Sequence, residues 1–201
     1  MVLVVSGSVI RSLLDMKSAQ IRTILNAART LFMEHGFEAV GMRDIAQEVG
    51  MQPTQLYRLQ LSKADILAEV ILELNNELID TLPVVLETVQ GNSALECVSN
   101  YLLALYQFDI HFQRLRSVGA MYGWSWTGAY EAAVIEQVWQ LLAPIAGWLK
   151  EDRFEDIPAR CYAIWALYYV GYRRAVTRGG NADECLNEIR PSLEILLCPS
   201  R

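Results

Sequence analysis

Residues 24–67 read ILNAARTLFMEHGFEAVGMRDIAQEVGMQPTQLYRLQLSKADIL, and three short helical patterns lie head to tail in them, broken by Gly36 and Gly50. Ile21, Ile24, Leu25, Ala28, Leu31 and Phe32 fall at i, i+3, i+4, i+7, i+10 and i+11, one apolar stripe along a helix. Gly36 stands where such a helix stops, and Phe37 is placed to pack back on its end. A second helix over 42–49 turns Ile45, Ala46 and Val49 inward and ends at Gly50. Pro53 suits the first turn of a third helix, which runs to Leu59, because its missing N–H would be unpaired there in any case. Ser62 with Asp65 three residues on forms a capping box for a fourth helix. That helix carries Ile66, Leu67, Val70, Ile71, Leu74 and Leu78 and is expected to stop before Pro83. The spacing is that of a helix-turn-helix, with one helix available for a DNA groove.

Outward from this stretch, helical periodicity continues and strand signals are almost missing. Further helices are expected at 93–108, 110–121, 125–151, 157–178 and 182–197, punctuated by Gly91-Asn92, Gly123, Pro158 and Gly179-Gly180. Pro144 falls inside the longest and is expected to kink or break it. Hydrophobic residues make up 53% of the 201-residue chain, enough for a packed core. No apolar run approaches the roughly 20 residues of a membrane span. Residues 2–10 are apolar but lack a basic start, so residues 1–16 read as a flexible leader rather than a signal peptide. The four cysteines, Cys97, Cys161, Cys185 and Cys198, form no CxxC pair and read as small buried apolar residues in a reducing, cytoplasmic setting. His35 and His111 have no liganding partner at helical spacing, so no metal site is expected.

The net charge is −6, yet it is unevenly spread. Residues 1–63 carry seven basic and five acidic side chains, a net +2, while the remainder carries ten and eighteen, a net −8. A basic end on an acidic chain points toward a polyanion partner for that end.

The matches from Ile24, Ala27-Ala28 and Leu31-Phe32 through Gly36-Phe37, Asp44-Ile45-Ala46 and Gly50 to Leu56-Tyr57, Lys63 and Leu67 make residues 21–67 resemble the N-terminal domain of the TetR family of transcriptional regulators. The resemblance covers about a quarter of the chain by motif. It implies an all-α fold in which an N-terminal three-helix helix-turn-helix bundle (17–63) joins a C-terminal helical ligand-binding and dimerisation domain (64–201). A recognition helix presents its N-terminal residues to base edges, here Gln52, Thr54 and Gln55, with Arg58 one turn on. Tyr57 resembles the family's phosphate-touching tyrosine, and Arg43 and Lys63 are placed to anchor phosphates beside the groove. Three positions depart from the family pattern. Gly41 stands where threonine or serine is usual, and Leu59-Gln60 replace an aromatic pair such as His-Phe, with Leu61 expected to fill the core role of the phenylalanine.

The tryptophans and many tyrosines gather after residue 120. An aromatic pocket for a small apolar or planar effector is expected among Tyr101, Leu105, Met121, Trp126, Tyr130 and Trp165. Over 161–172 the chain is apolar nearly all round, with Cys161, Ile164, Trp165, Tyr168 and Tyr172 on one face and Ala163, Ala166, Leu167 and Val170 on the other. Such a helix needs cover on both sides. With the stripe Leu186, Ile189, Leu193, Leu196 and Leu197, it is expected to pair with its copy in a second chain as a four-helix bundle, the alternative being a helix central to a larger monomeric core. The interface then takes Ile164, Leu167, Tyr168, Leu186, Ile189, Leu193 and Leu196.

No Ser-His-Asp or Cys-His arrangement, metal-ligand spacing or glycine-rich phosphate loop occurs, so neither an enzyme nor a cofactor is expected. The reading is a ligand-responsive regulator, a repressor by resemblance. It binds a pseudo-palindromic double-stranded DNA operator as a homodimer, away from any membrane, and a small-molecule effector releases it. The alternative is a helical ligand-binding or dimerisation protein whose DNA-binding domain is weakened or lost.

Overall fold

The computed structural model describes residues 7–126 and 128–198, with side chains described from Ala19 onward. The described residues form helices α1 (Gly7–His35), α2 (Met42–Glu48), α3 (Pro53–Arg58), α4 (Lys63–Thr88), α5 (Ala94–His111), α6 (Gln113–Gly123), α7 (Ala129–Glu151), α8 (Ile157–Arg178) and α9 (Ala182–Leu196), with no strand among them. They divide into two compact units, the first ending at Ile71 and the second beginning at Leu72. The division therefore falls inside α4 rather than at Lys63, because the first turns of that helix belong with the N-terminal bundle. Residues 7–16, expected as a flexible leader, are the start of α1; residues 1–6 lie outside the described residues. Neither glycine nor proline occurs between Gly7 and Gly36, so nothing in the chain interrupts that helix.

In the first unit the expected stripe is inside: Ile24, Leu25, Ala28 and Phe32 are buried, while Ile21 and Leu31 are half-buried. Gly36 ends α1 in the left-handed region at φ 85°, and its N–H donates to the Phe32 carbonyl at 3.0 Å. Phe37 then meets Phe32 edge-on, ring centroids 5.1 Å apart. Ile45 and Ala46 of α2 are fully buried. At its end Gly50 (φ 65°) donates to the Gln47 carbonyl at 3.1 Å and Met51 to the Ala46 carbonyl at 2.8 Å. These are the two bonds of a Schellman stop, which needs a left-handed residue at the position Gly50 fills. α4 starts on the expected box: the Ser62 N–H donates to Asp65 Oδ2 at 2.8 Å, and the Asp65 N–H to Ser62 Oγ at 3.1 Å.

The second unit is built on α9 packing against α8 and α5, with α7 against α5 and α8. Its core includes Val98, Tyr101, Leu102 and Tyr106 of α5, Leu141, Ile145 and Leu149 of α7, Ile164 and Tyr168 of α8, and Cys185, Ile189 and Leu193 of α9. Gly171 lets three of these helices meet. A Cβ there would stand 2.2 Å from Tyr106 Oη and 2.6 Å from the Cys185 carbonyl oxygen. Tyr106 stacks on Tyr168 at 4.4 Å and donates to its carbonyl at 2.9 Å.

Two expectations about proline are corrected. α4 does not stop before Pro83 but continues to Thr88, and α7 runs through Pro144 as one helix. An interior proline costs about 3 kcal/mol, whereas each fully buried leucine or isoleucine contributes about 1.5–3 kcal/mol. Leu78 and Leu82 precede Pro83, and Leu141, Leu142, Ile145 and Leu149 flank Pro144, all buried, so tertiary burial outweighs the local penalty. α7 is also long and apolar enough, by length and composition, to cross a membrane, which the sequence reading did not find; it packs in the core through Leu141, Leu142, Ile145 and Leu149. Of the cysteines, Cys161 and Cys185 are buried, Cys97 is half-buried, and Cys198 is exposed rather than buried.

Candidate nucleic-acid interface and effector unit

α3 is held by one side chain. Leu56 is fully buried, while Gln52, Thr54, Gln55, Tyr57 and Arg58 are exposed around it. Thr54 and Arg58 stand one turn apart, as do Thr54 and Tyr57, so the structure gathers these polar side chains on the outward side of a short, firmly seated helix. Gln55 also has a local duty. Its Oε1 accepts the Gln52 N–H at 2.9 Å, which caps α3 and leaves the amide NH₂ as the end able to donate. The sequence reading missed this, although glutamine three residues after the cap is the pattern that signals it.

Arg43 is exposed in the first turn of α2. Gly41 caps that helix with extended backbone (φ −105°, ψ 169°), and Asp44 Oδ2 accepts the Gly41 N–H at 2.6 Å. Glycine contributes no side-chain oxygen, so only the acidic half of the box exists. Lys63 is half-buried, its Nζ 4.1 Å from the centroid of the Phe37 ring, a cation–π contact that holds the start of α4 against the end of α1. At the second departure Gln60 adopts φ 58°, and its N–H donates to the Tyr57 carbonyl at 3.0 Å. Leu59 and Leu61 are both half-buried. A residue with no need to enter the core thus serves as the left-handed stop of α3.

In the second unit the expected effector residues separate. Tyr101 and Leu105 are sealed in the chain's own core, and the Tyr101 hydroxyl already donates to the Leu141 carbonyl at 2.8 Å, with Trp148 edge-on at 5.5 Å. Burial pushes that hydroxyl well above its ordinary pKa. Met121 is exposed near the end of α6, and Trp126, Tyr130 and Trp165 are half-buried. The Trp126 indole N–H is itself buried and has no acceptor among the described residues.

Sequence reasoning missed a polar chain through this unit. Tyr168 Oη donates to Asp109 Oδ2 at 2.8 Å, and Tyr172 Oη to the Asp109 carbonyl at 3.1 Å. Asp109 Oδ1 lies 2.8 Å from Arg116 Nε, and Arg116 Nη1 donates to Asn75 Oδ1. Asn75 donates to Gln137 Oε1 at 2.8 Å, and Gln137 donates to Asn76 Oδ1 at 2.7 Å and the Leu72 carbonyl at 2.9 Å. Burial holds the Asp109 carboxyl above its ordinary pKa, with the Arg116 guanidinium and the Tyr168 hydroxyl opposing the shift. A single aspartate in the apolar run LLALYQFDI was the one signal available.

Most of the residues expected at the dimer face are already covered within the single chain. Ile164, Tyr168, Leu186, Ile189 and Leu193 are buried within the single chain, and Leu167 and Leu196 are half-buried against the same core. Ile164, Tyr168, Leu186, Ile189 and Leu193 thus have little surface left for a copy to cover. The outer side of α8 instead exposes Tyr162 (70%), Tyr169 (47%), Val170 (54%) and Val176 (39%), and α9 exposes Ile195 (82%).

A seven-residue helix, a Schellman turn and an outward-facing third helix seated by one leucine define a helix-turn-helix DNA-binding unit. Residues 24–70 match the family of bacterial regulatory proteins described as the tetR family. No curated protein sequence matches the chain. Solved structures share its fold. A TetR-family regulator from Mesorhizobium loti is 18% identical at TM-score 0.62, covering 90% of this chain and 96% of that one. The transcriptional regulator FadR from Bacillus subtilis, solved with stearoyl-CoA, is 16% identical at 0.63, covering 90% and 99%. The TetR-family regulator PfmR from Thermus thermophilus is 19% identical at 0.59, covering 89% and 95%.

Proposed function

We propose that the protein is a ligand-responsive repressor that binds a pseudo-palindromic operator as a homodimer and is released by a small apolar or aromatic effector. The carrying observation is α3. Leu56 seats it while Gln52, Thr54, Gln55, Tyr57 and Arg58 stay outside, the disposition a groove-reading helix requires. Thr54 and the donor end of Gln55 read base edges; Arg43, Tyr57, Arg58 and Lys63 contact phosphates. The exposed apolar row Tyr162, Tyr169, Val170 and Val176, with Ile195, supports pairing of α8 and α9 with their copies. The stearoyl-CoA bound to FadR supports an apolar effector for the second unit. A ligand that prefers one spacing of the two recognition helices shifts the dimer between operator-competent and incompetent states.

The alternative, a protein of this fold with weakened DNA binding, is favoured by Gly41, which offers no hydroxyl to a phosphate, and by Lys63, whose charge rests on Phe37. Titration of the dimer on its own upstream region across salt concentrations separates the two. Arg43→Ala/Lys63→Ala should weaken binding to every sequence and flatten the log–log salt slope by about 0.9 for each phosphate that is no longer neutralised. A wild type without salt-sensitive, sequence-selective binding would establish the alternative.

A further inference from the structure

The positive charge of the first unit does not lie in the helix-turn-helix. Residues 24–70, the stretch that matches the regulator family, carry four basic and six acidic side chains, a net −2. Residues 1–23 carry Arg11, Lys17 and Arg22 against Asp15, a net +2. A DNA duplex bears about one negative charge per 1.7 Å of its axis, so a net-acidic reader needs basic residues beside it that face the strands. The three basic residues lie on one continuous element, because α1 begins at Gly7, well before Ile24. A contact fixes where that helix passes the reading end of α3. The Gln20 amide donates to Met51 Sδ at 3.8 Å, and Met51 directly precedes Gln52, the N-cap of α3. The buried stripe of Ile24, Leu25, Ala28 and Phe32 lies wholly to the C-terminal side of Gln20. The turns from Gly7 to Ala19 therefore extend past the bundle at the end of α3 whose residues meet base edges. At roughly 1.5 Å per residue they span about 20 Å, long enough to run beside several phosphates. Arg22, at the root of the extension, is exposed.

We propose that the N-terminal extension of α1 is a second DNA-contacting element, in which Arg11, Lys17 and Arg22 bind the phosphate backbone of double-stranded DNA beside the groove that α3 enters. The inference rests on the proposed DNA-binding function and adds to it the charge that the family-matched stretch lacks. A major groove admits one helix, and α3 takes it, so the extension meets the sugar-phosphate strand that borders the groove. Contacts of that kind add affinity for any sequence and leave base preference to α3. They also offset two losses within the bundle: Gly41 offers no hydroxyl to a phosphate, and the Lys63 ammonium lies over Phe37.

Fluorescence anisotropy of the full chain on two duplexes, its own upstream region and a scrambled copy, tests this across salt concentrations of about 50–200 mM. Arg11→Gln/Lys17→Gln should weaken binding to both duplexes and flatten the log–log salt slope by about 1.8 per protomer, 0.9 for each phosphate no longer neutralised. The ratio of the two affinities should stay as in the wild type, because phosphate contacts carry no sequence information. Lys150→Gln/Arg153→Gln removes the same charge from exposed positions of the second unit and should leave the slope unchanged. Asp15→Asn shifts the charge of the extension the other way and should tighten both duplexes, a gain that a folding defect cannot produce. An unchanged slope in Arg11→Gln/Lys17→Gln, an equal loss in the Lys150/Arg153 variant, or a collapse of the affinity ratio would overturn the second element while the helix-turn-helix reading stands. A wild type that binds neither duplex in a salt-sensitive way would refute the DNA-binding function itself, and the extension's role with it.

Discussion

Replacing Gly171 by alanine should destabilise the second unit by about 1–5 kcal/mol, and the structure shows how that figure arises. The new Cβ would lie 2.2 Å from Tyr106 Oη, 3.0 Å from Tyr106 Cζ and 2.6 Å from the Cys185 carbonyl oxygen. Two of these neighbours cannot yield freely: one is the backbone of α9, the other a buried ring stacked on Tyr168. Overpacking of this kind costs about 1–3 kcal/mol. Displacing Tyr106 Oη also strips its bond to the Tyr168 carbonyl and leaves a buried hydroxyl unsatisfied, about 1–3 kcal/mol more. Against this, alanine is the better helix former by about 1 kcal/mol. Urea unfolding followed by circular dichroism should show the midpoint falling with an unchanged slope. Gly171→Ala/Tyr106→Phe removes the oxygen at 2.2 Å but not the α9 carbonyl, so it should recover part of the loss. Gly147→Ala on α7 meets nothing within 4 Å and should stabilise by about 0.5–1 kcal/mol, which serves as the control. A neutral or stabilising Gly171→Ala would refute the close approach of α5, α8 and α9.

Gln60 occupies the left-handed region at φ 58°, a conformation that costs a side-chain-bearing residue about 1–2 kcal/mol, so Gln60→Gly should raise the thermal midpoint of the first unit; an unchanged midpoint would argue against that backbone. Burial raises the hydroxyl pKa values of Tyr101, Tyr106, Tyr168 and Tyr172 above their ordinary value of about 10. Because the folded state favours the protonated form, their contribution is complete below pH of about 10 and is lost above it. Absorbance at the tyrosinate band should therefore rise for these residues together with unfolding, and a gradual titration in the folded protein would contradict their burial.

Helix class and helix ends were legible because they rest on local chemistry. Asn181 accepts the Glu184 N–H at 3.0 Å and Glu184 accepts the Asn181 N–H at 3.0 Å, a box that starts α9 where spacing placed it. Gly36, Gly50 and Ser62 act in the same way, each through neighbours within five residues. The same signals mark where the family's pattern breaks. Gln60 stops α3 by its backbone conformation, and Gly41 caps α2 without a hydroxyl. The prolines were misread because a local penalty was weighed without the burial that offsets it.

Which face of an apolar helix turns inward is a different kind of fact. On α8 both Cys161, Ile164, Tyr168 and Tyr172 and the opposing Tyr162, Ala166, Tyr169 and Val170 are apolar enough for a core, and periodicity alone cannot rank them. Packing against α9 and α5 buries the first set and leaves most of the second outside. The same holds for Tyr101 and Leu105, which the core claims before any ligand could. The polar chain depends on tertiary structure most of all. Arg116 meets Asn75 across 41 residues and Asn75 meets Gln137 across 62, separations over which no local signal survives. The sequence by itself therefore determined an all-helical chain beginning with a helix-turn-helix, because backbone conformation answers to neighbours a turn away. Only the tertiary structure decided which side chains are core, which are surface and which charges are paired, because burial is settled by what packs on a helix rather than by what lies along it.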